Sequence, residues 1–382
     1  MPSDKLTIVP VLTKREFKEF LELPYRLYRD DPHWIPPLRM ERAEQLNPKK
    51  NPYYLHAVVK LFLARRGERT VGRISAQIDH EYEKFHRERL GQFGFFECED
   101  DPEAARALLD SAQAFHRESG AKRSQGPFSF SINEESGLLV KGFDAPLMIM
   151  MPYNPPYYAE LVEGAGFRKA KDLYAWRYSI GQVPKEAAEV AEIVAQTPGL
   201  VVRHVDMKDL KSELEKVMDI FNSAWSENWG FVPLTNEEIA KVAKDLKPIL
   251  RPAVALLAEV NGEPAAMCIA VPNIYEIIQD LKGRLFPFGI FKLLSRVKRH
   301  SYKSGRLMLL GVKKEHRNTV LGGLSILLYA EINKRSIAQG AEWGELSWTL
   351  EDNQKVNAGI EFMGGKKYKV YRIYEKEVGS MT

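Results

Sequence analysis

The chain has 382 residues, of which 45% are hydrophobic and 28% charged, with a net charge of +4; this is a globular balance, not a disordered one, and the length suits two domains. So mild a charge does not itself argue for DNA. Two cysteines, Cys98 and Cys268, supply neither a disulfide framework nor a metal site, and no apolar run approaches the ~18–20 residues that span a bilayer.

Met1–Val11 has no charged-then-apolar signal pattern, so a reducing, cytoplasmic setting is expected. Leu61–Gly72 reads as strand, tight turn, strand. Phe95–Ala104 then runs into a helix opened by Pro102 and carries Glu97, Glu99, Asp100, Asp101 and Glu103. Carboxylates there suit the positive end of a helix dipole but repel an anionic ligand. Asn133-Glu-Glu-Ser-Gly is a polar island between Phe128-Ser-Phe-Ser-Ile and Leu138-Leu-Val. Burying Glu134 and Glu135 beside apolar sequence would raise at least one pKa toward neutrality, which makes them, with Asn133, the candidate catalytic group. A solvated turn closed by Gly137 is the competing reading. In Asn154-Pro-Pro-Tyr-Tyr, Tyr157 either lines a pocket or packs.

Between Gly181 and Gly199, Gly-Gln-Val-Pro, an Ala/Glu helix and Thr-Pro-Gly mark a boundary, so units of 1–185 and 198–382 are expected. Asn222–Phe231 holds Trp225, Asn228 and Trp229; aromatic walls with an amide suit an apolar ligand with a polar head, and core packing explains them equally well. Ala255–Ala266 repeats the strand-turn-strand pattern. Residues 281–306 contain eight Lys or Arg and no Asp or Glu, interleaved with large apolar residues that include Phe288 and Phe291. That is the composition of an interfacial segment on an anionic membrane, against the simpler reading of a core-packed helix with a solvated basic face; nucleic-acid contact is the weaker third reading. Leu307–Leu310 is a continuous apolar strand, and Leu324–Ala338 an amphipathic helix. The basic turn joining them can cradle a diphosphate: Leu310, Val312, Lys313, Lys314, Arg317, Gly322, Gly323 and Leu324 are the candidate binding residues, with backbone N–H groups free at the helix start.

The halves repeat each other. Gly166 and Gly364, 198 residues apart, each follow a short helix and precede an aromatic-rich strand. Hairpin, strand, basic turn, long helix, strand, then short helix, glycine and strand is an order that resembles the GNAT acyl-CoA N-acyltransferase superfamily, present twice. In that superfamily the turn reads Arg/Gln-x-x-Gly-x-Gly/Ala; Arg317 and Gly322 match, and Val320 replaces the first glycine. Arg29-Asp-Asp-Pro-His-Trp-Ile-Pro-Pro, Gly126-Pro-Phe-Ser-Phe-Ser-Ile-Asn-Glu-Glu-Ser-Gly and Met151-Pro-Tyr-Asn-Pro-Pro-Tyr-Tyr look like the bacterial ceramide synthase group.

The resemblance implies an α/β fold of mixed sheets in two tandem GNAT-like domains. It also implies acyl-CoA as cosubstrate, with no metal, and an amine acceptor such as a long-chain sphingoid base. The acidic turn of the first half implies that coenzyme binding survives only in the second. Many members protonate the leaving thiolate with a Tyr four residues before the glycine that ends the final helix; here those positions are Val162 and Ile360, leaving Tyr368, Tyr371 or solvent. The expected place is the cytoplasm, peripherally on the inner membrane face through 281–306. Two alternatives stand: a FemABX-like aminoacyl transferase using charged tRNA, and an inactive lipid-binding protein.

Overall fold

The computed structural model describes residues 5–181, 183–299 and 302–379. One residue of the expected boundary segment, two of the basic segment and the first four of the chain therefore lie outside the described residues.

The first half runs β1 (Leu6–Pro10), α1 (Lys14–Leu27), α2 (Arg39–Gln45), β2 (Ala57–Arg66), β3 (Arg69–Asp79), α3 (His80–His86), β4 (Leu90–Cys98), α4 (Pro102–Glu118) and β5 (Arg123–Gly126). It continues through β6 (Phe128–Ser129), β7 (Glu135–Ser136), β8 (Leu138–Lys141), α5 (Tyr158–Gly164) and β9 (Arg168–Ser179). After the connecting α6 (Lys185–Ala195) the same succession returns. It comprises β10 (Leu200–His204), α7 (Leu210–Trp225), α8 (Asn236–Leu246), β11 (Ala255–Val260), β12 (Glu263–Pro272), α9 (Tyr275–Ile278) and α10 (Gly289–Lys298). It closes with β13 (Ser304–Val312), α11 (Leu324–Ala338), β14 (Trp343–Leu350), α12 (Gln354–Phe362) and β15 (Lys366–Glu377).

Local chemistry accounts for many boundaries. Thr13 with Glu16 and Thr235 with Glu238 form capping boxes that start α1 and α8. Asn261 and Gly262, both at positive φ, make the two-residue turn between β11 and β12. Gly166 and Gly364 hold φ of 87° and 90°, a left-handed conformation that lets the chain leave α5 and α12 and start the next strand.

Among the described residues the strands form one 13-stranded sheet in the order β1-β2-β3-β4-β5-β15-β9-β14-β13-β12-β11-β10, with β8 also on β15 and β6 and β7 in a separate ladder. The final strands are exchanged between halves. β9, from the first half, pairs antiparallel with β14, while β15, from the second, pairs with β5 and β8; β9 and β15 pair with each other at the centre. In the first half, α4 and α5 cover one face of β2–β4, and α1 the other. In the second, α11 and α6 cover one face and α7 the other. A central core takes Leu90, Leu139 and Leu173 from the first half and Val271, Leu350 and Tyr371 from the second.

Candidate active site

β13 and β14 run parallel and in register only from Ser304↔Trp343 to Leu307↔Leu346. Beyond that pair they part. β13 slips against β12 at Met308 and continues paired with β12 to Val312, while β14 slips against β9 between Leu346 and Thr349. The β14-facing edge of β13 is therefore left open above Leu307, with backbone groups that need partners. The turn above the opening leads into α11, which no side chain caps; its N-cap is Gly323. A one-turn 3-10 helix, Val320–Gly323, runs straight into α11, and the N–H groups of Leu321, Gly322 and Leu324 bond within that turn, so what this end offers an anion is the positive end of the helix dipole.

The turn's side chains are committed to α7, the residues just after it and β13 rather than aimed outward. Lys313 pairs with Asp219; Lys314 reaches Glu227 at 2.8 Å and Ser226 Oγ at 3.0 Å. Arg317 donates to the carbonyls of Val312 at 2.9 Å and Ala224 at 2.7 Å. The glycines have packing reasons as well: a Cβ at Gly322 would come within 2.5 Å of the Arg317 carbonyl, and one at Gly323 within 2.7 Å of Val194 on α6. Leu310 and Val312 belong to β13, with Val312 buried, and Leu324 is fully buried as the first residue of α11.

At the last parallel pairs lies a buried polar cluster that sequence reasoning missed. Glu345, fully buried, accepts hydrogen bonds from the Ser347 and Tyr368 hydroxyls. Buried Arg306 donates to Ser347 Oγ (2.9 Å) and carbonyl (3.3 Å), and to the carbonyls of Ile149 and Met150 (both 3.0 Å). Buried Lys369 donates to the Pro146 carbonyl, and burial lowers its pKa. The Tyr371 hydroxyl is buried without a hydrogen-bond partner among the described residues, and burial beside Glu345 lifts its pKa well above the ordinary value. The two tyrosines left open by the sequence thus differ: Tyr368 is engaged, Tyr371 is not. An available signal was an ionisable residue inside an apolar strand, as in Gly-Arg306-Leu-Met and Gly-Glu345-Leu, which must be paired if buried. Val162 and Ile360 both sit in cores.

The equivalent opening of the first half is filled by the chain itself. β4 and β5 pair in parallel only from Leu90↔Arg123 to Gln92↔Gln125. Above that, a Cβ at Gly94 would overlap the Phe128 carbonyl, so close does the 126–128 backbone run. Higher still, the Tyr157 hydroxyl donates to the Cys98 carbonyl and the Tyr158 hydroxyl accepts from the Cys98 N–H, both at 2.9 Å. Asp101 caps α4, accepting from the Ala104 N–H at 3.1 Å, and Arg66 pairs with Asp101 and Glu103. A carboxylate thus stands where an anion would bind.

Glu134 and Glu135 diverge. Glu134 accepts from Gln45; burial raises its pKa to about 7. Glu135 pairs with Arg42 and lines a pocket walled by aromatic and aliphatic side chains, including Tyr25, Trp34, Phe95 and Leu147, with Arg73 and Glu97 also on it. Asn133 reaches across to the second half and donates to the Val232 carbonyl at 2.9 Å. His56 makes a second bridge, with Nδ1 3.0 Å from Asp79 and Nε2 3.2 Å from Glu238. Burial pushes its pKa down, but the two carboxylates outweigh that and lift it to about 10.

The other expected binding residues do not gather in one place. Trp225 stacks on Phe221, its ring filling the space above Gly311. Trp229 packs on the central core with Lys171 5.6 Å above its ring. Asn228 shapes the turn after α7 through its backbone, and Tyr157 belongs to the first-half core. Phe288 and Phe291 stand out in solvent, 73% and 68% exposed, beside exposed Phe286 and Leu294. Ile290, Leu293 and Val297 turn the other face inward. The acid-free stretch borrows Asp280, which pairs with Lys292 and Arg296. Among the described residues no helix is long and apolar enough to cross a membrane, and no group of His, Cys, Asp or Glu is placed to hold a metal.

No family model matches the chain. The chain is 42% identical over 383 residues to the bacterial ceramide synthase of Caulobacter vibrioides, covering 98% of this chain and 100% of that protein. It is 38% identical over 372 residues to protein YghO of Escherichia coli, covering 96% and 94%. A tandem GNAT protein from the clavulanic acid biosynthesis pathway superposes with a TM-score of 0.58 at 14% identity, covering 99% of this chain and 100% of that one. A GCN5-related N-acetyltransferase from Sphaerobacter thermophilus gives 0.52 at 13%, covering 100% and 98%. Those structures carry the fold, and the full-length relatives carry the family: the chain belongs to the family of the bacterial ceramide synthase and is an N-acyltransferase of two tandem GNAT-like domains.

Proposed function

We propose that the protein transfers a fatty acyl group from acyl-CoA to the amine of a long-chain acceptor of the sphingoid-base kind. The observation that carries this reading is the contrast between the two openings: the one between β13 and β14 is open beneath an uncapped helix, while its first-half counterpart is closed by Tyr157, Tyr158, Phe128 and Asp101. A pantetheine arm offers amides that pair with a free strand edge, and a diphosphate suits the positive dipole end of a helix. In this reading the edge from Met308 to Val312 holds the arm and the start of α11, with the turn Lys313–Gly323, holds the diphosphate. The bound CoA thioester supplies the activated acyl group.

The acceptor occupies the apolar pocket on the first-half side, whose Glu135 attracts its ammonium. Glu134, behind Glu135 and with a pKa of about 7, exchanges the proton that the amine must lose before attack. Arg306, Glu345 and Ser347 hold the apex of the opening in shape, and Tyr371 is the hydroxyl left over to meet developing charge. Exposed Phe286, Phe288, Phe291 and Leu294, with the basic residues around them, rest on the anionic cytoplasmic face of the membrane, where both lipid substrates reside.

The test is to give purified protein palmitoyl-CoA with sphinganine and follow free thiol. Acceptor-dependent thiol release with an N-acylated product is expected. Absence of thiol release sinks the proposal, and turnover only with aminoacyl-tRNA as donor replaces it with the tRNA-dependent alternative.

A further inference from the structure

Gly305 and Gly344 lie side by side in the parallel register of β13 and β14. Strand side chains alternate, so both glycines share a face with Leu307 and Leu346, which pack in the core beneath α11. A Cβ on Gly344 would meet nothing closer than the Gly305 carbonyl at 3.5 Å. Where Gly344 has no side chain there is a hollow between the sheet and α11, walled by Val254, Ala270, Leu307, Tyr329, Ile332 and Leu346. Gly305 has a steric reason, since a Cβ there would stand 2.9 Å from the Val271 carbonyl, but at Gly344 a strand in a packed core would gain by carrying valine or isoleucine, because unfilled apolar space forfeits dispersion contacts. Leu307 and Leu346 are also the last pair before the strands part, so the hollow adjoins the apex of the opening.

We infer that this hollow takes the hydrocarbon chain of the acyl donor, a long unbranched fatty acyl group that passes Leu307 and Leu346 from the apex and lies beneath α11. The inference rests on the reading of the second half as the acyl-thioester site and adds the element that selects chain length. Arg251, held at the mouth by the Tyr302 hydroxyl and the Val297 carbonyl, marks the polar limit of the hollow.

Gly344→Leu fills the hollow from a strand position that has room for it. A retained melting temperature shows that the fold holds, and Ile332→Trp fills the same space from α11 if it does not. The ratio of palmitoyl-CoA to hexanoyl-CoA turnover should fall about tenfold or more, with Gly344→Ala between the two. An unchanged ratio overturns the inference. A titration with the fluorescent fatty acid cis-parinaric acid, displaced by palmitate, reads the hollow without turnover. About tenfold weaker binding to Gly344→Leu than to wild type is expected, and equal binding overturns the inference. Should no acyl-CoA be turned over at any length, the proposed function fails while this titration still decides whether the hollow holds a chain.

Discussion

Glu134 and Glu135 are neighbours whose environments separate them. Glu135 has a guanidinium partner; Glu134 has neutral donors, the Gln45 amide and the Phe130 backbone N–H, and burial moves its pKa to about 7. A general base with that value is charged above pH 7 and idle below it, so kcat should rise with pH through an inflection near 7. In Glu134→Gln that inflection should vanish, with kcat lower by about 10²-fold; a pH profile identical to wild type would remove Glu134 from the mechanism. Glu345 is a different case. Its value lies in satisfying Ser347 and Tyr368 beside Arg306, and truncating one member of a buried charged cluster costs about 3–5 kcal/mol.

At the scale of elements, what local chemistry controls was legible in the sequence. Leu324–Ala338 is helical with the expected bounds, Pro102 opens α4, and Gly166 and Gly364 start matching strands. Each depends on residues within a turn or two of chain. The Arg306–Glu345 cluster was not legible, because it joins β13, β14, β15 and the 146–150 loop, and no spacing along the chain encodes which strands become neighbours. Nor was the closing of the first-half opening, made by the Phe128 carbonyl and two tyrosine hydroxyls. The basic segment was half legible: composition found its amphipathic character, while its inward face and its use of Asp280 are tertiary facts. Replacing Phe288 and Phe291 by Asp should lower co-sedimentation with phosphatidylglycerol vesicles by about tenfold or more, since each removes buried apolar area and adds repulsion. Undiminished binding would show that these phenylalanines make no membrane contact.

For the whole molecule, the exchange of β9 and β15 makes the halves interdependent. The first half lacks β15 to cover β5 and β8, and the second lacks β9 to cover β14. Separate chains of 1–185 and 198–382 should each fail to give a cooperative thermal transition, whereas co-expression should recover a heterodimer that does. A cooperative transition in either piece alone would show that the exchange is dispensable. His56, paired with Asp79 and Glu238, fastens the same junction; its raised pKa means that this contribution is complete below pH 6.5 and is lost as pH rises through about 10.

The strand exchange also sets a timetable for biosynthesis. A ribosome adding roughly 5–20 residues per second completes β5 on the order of ten seconds or more before β15 leaves the exit tunnel. Throughout that interval the β5 edge has no partner, and an unpaired edge is a template for aggregation. Domain-by-domain folding during translation cannot reach the native pairing of β5 before β15 is made. That edge is an aggregation hazard until the last strand arrives.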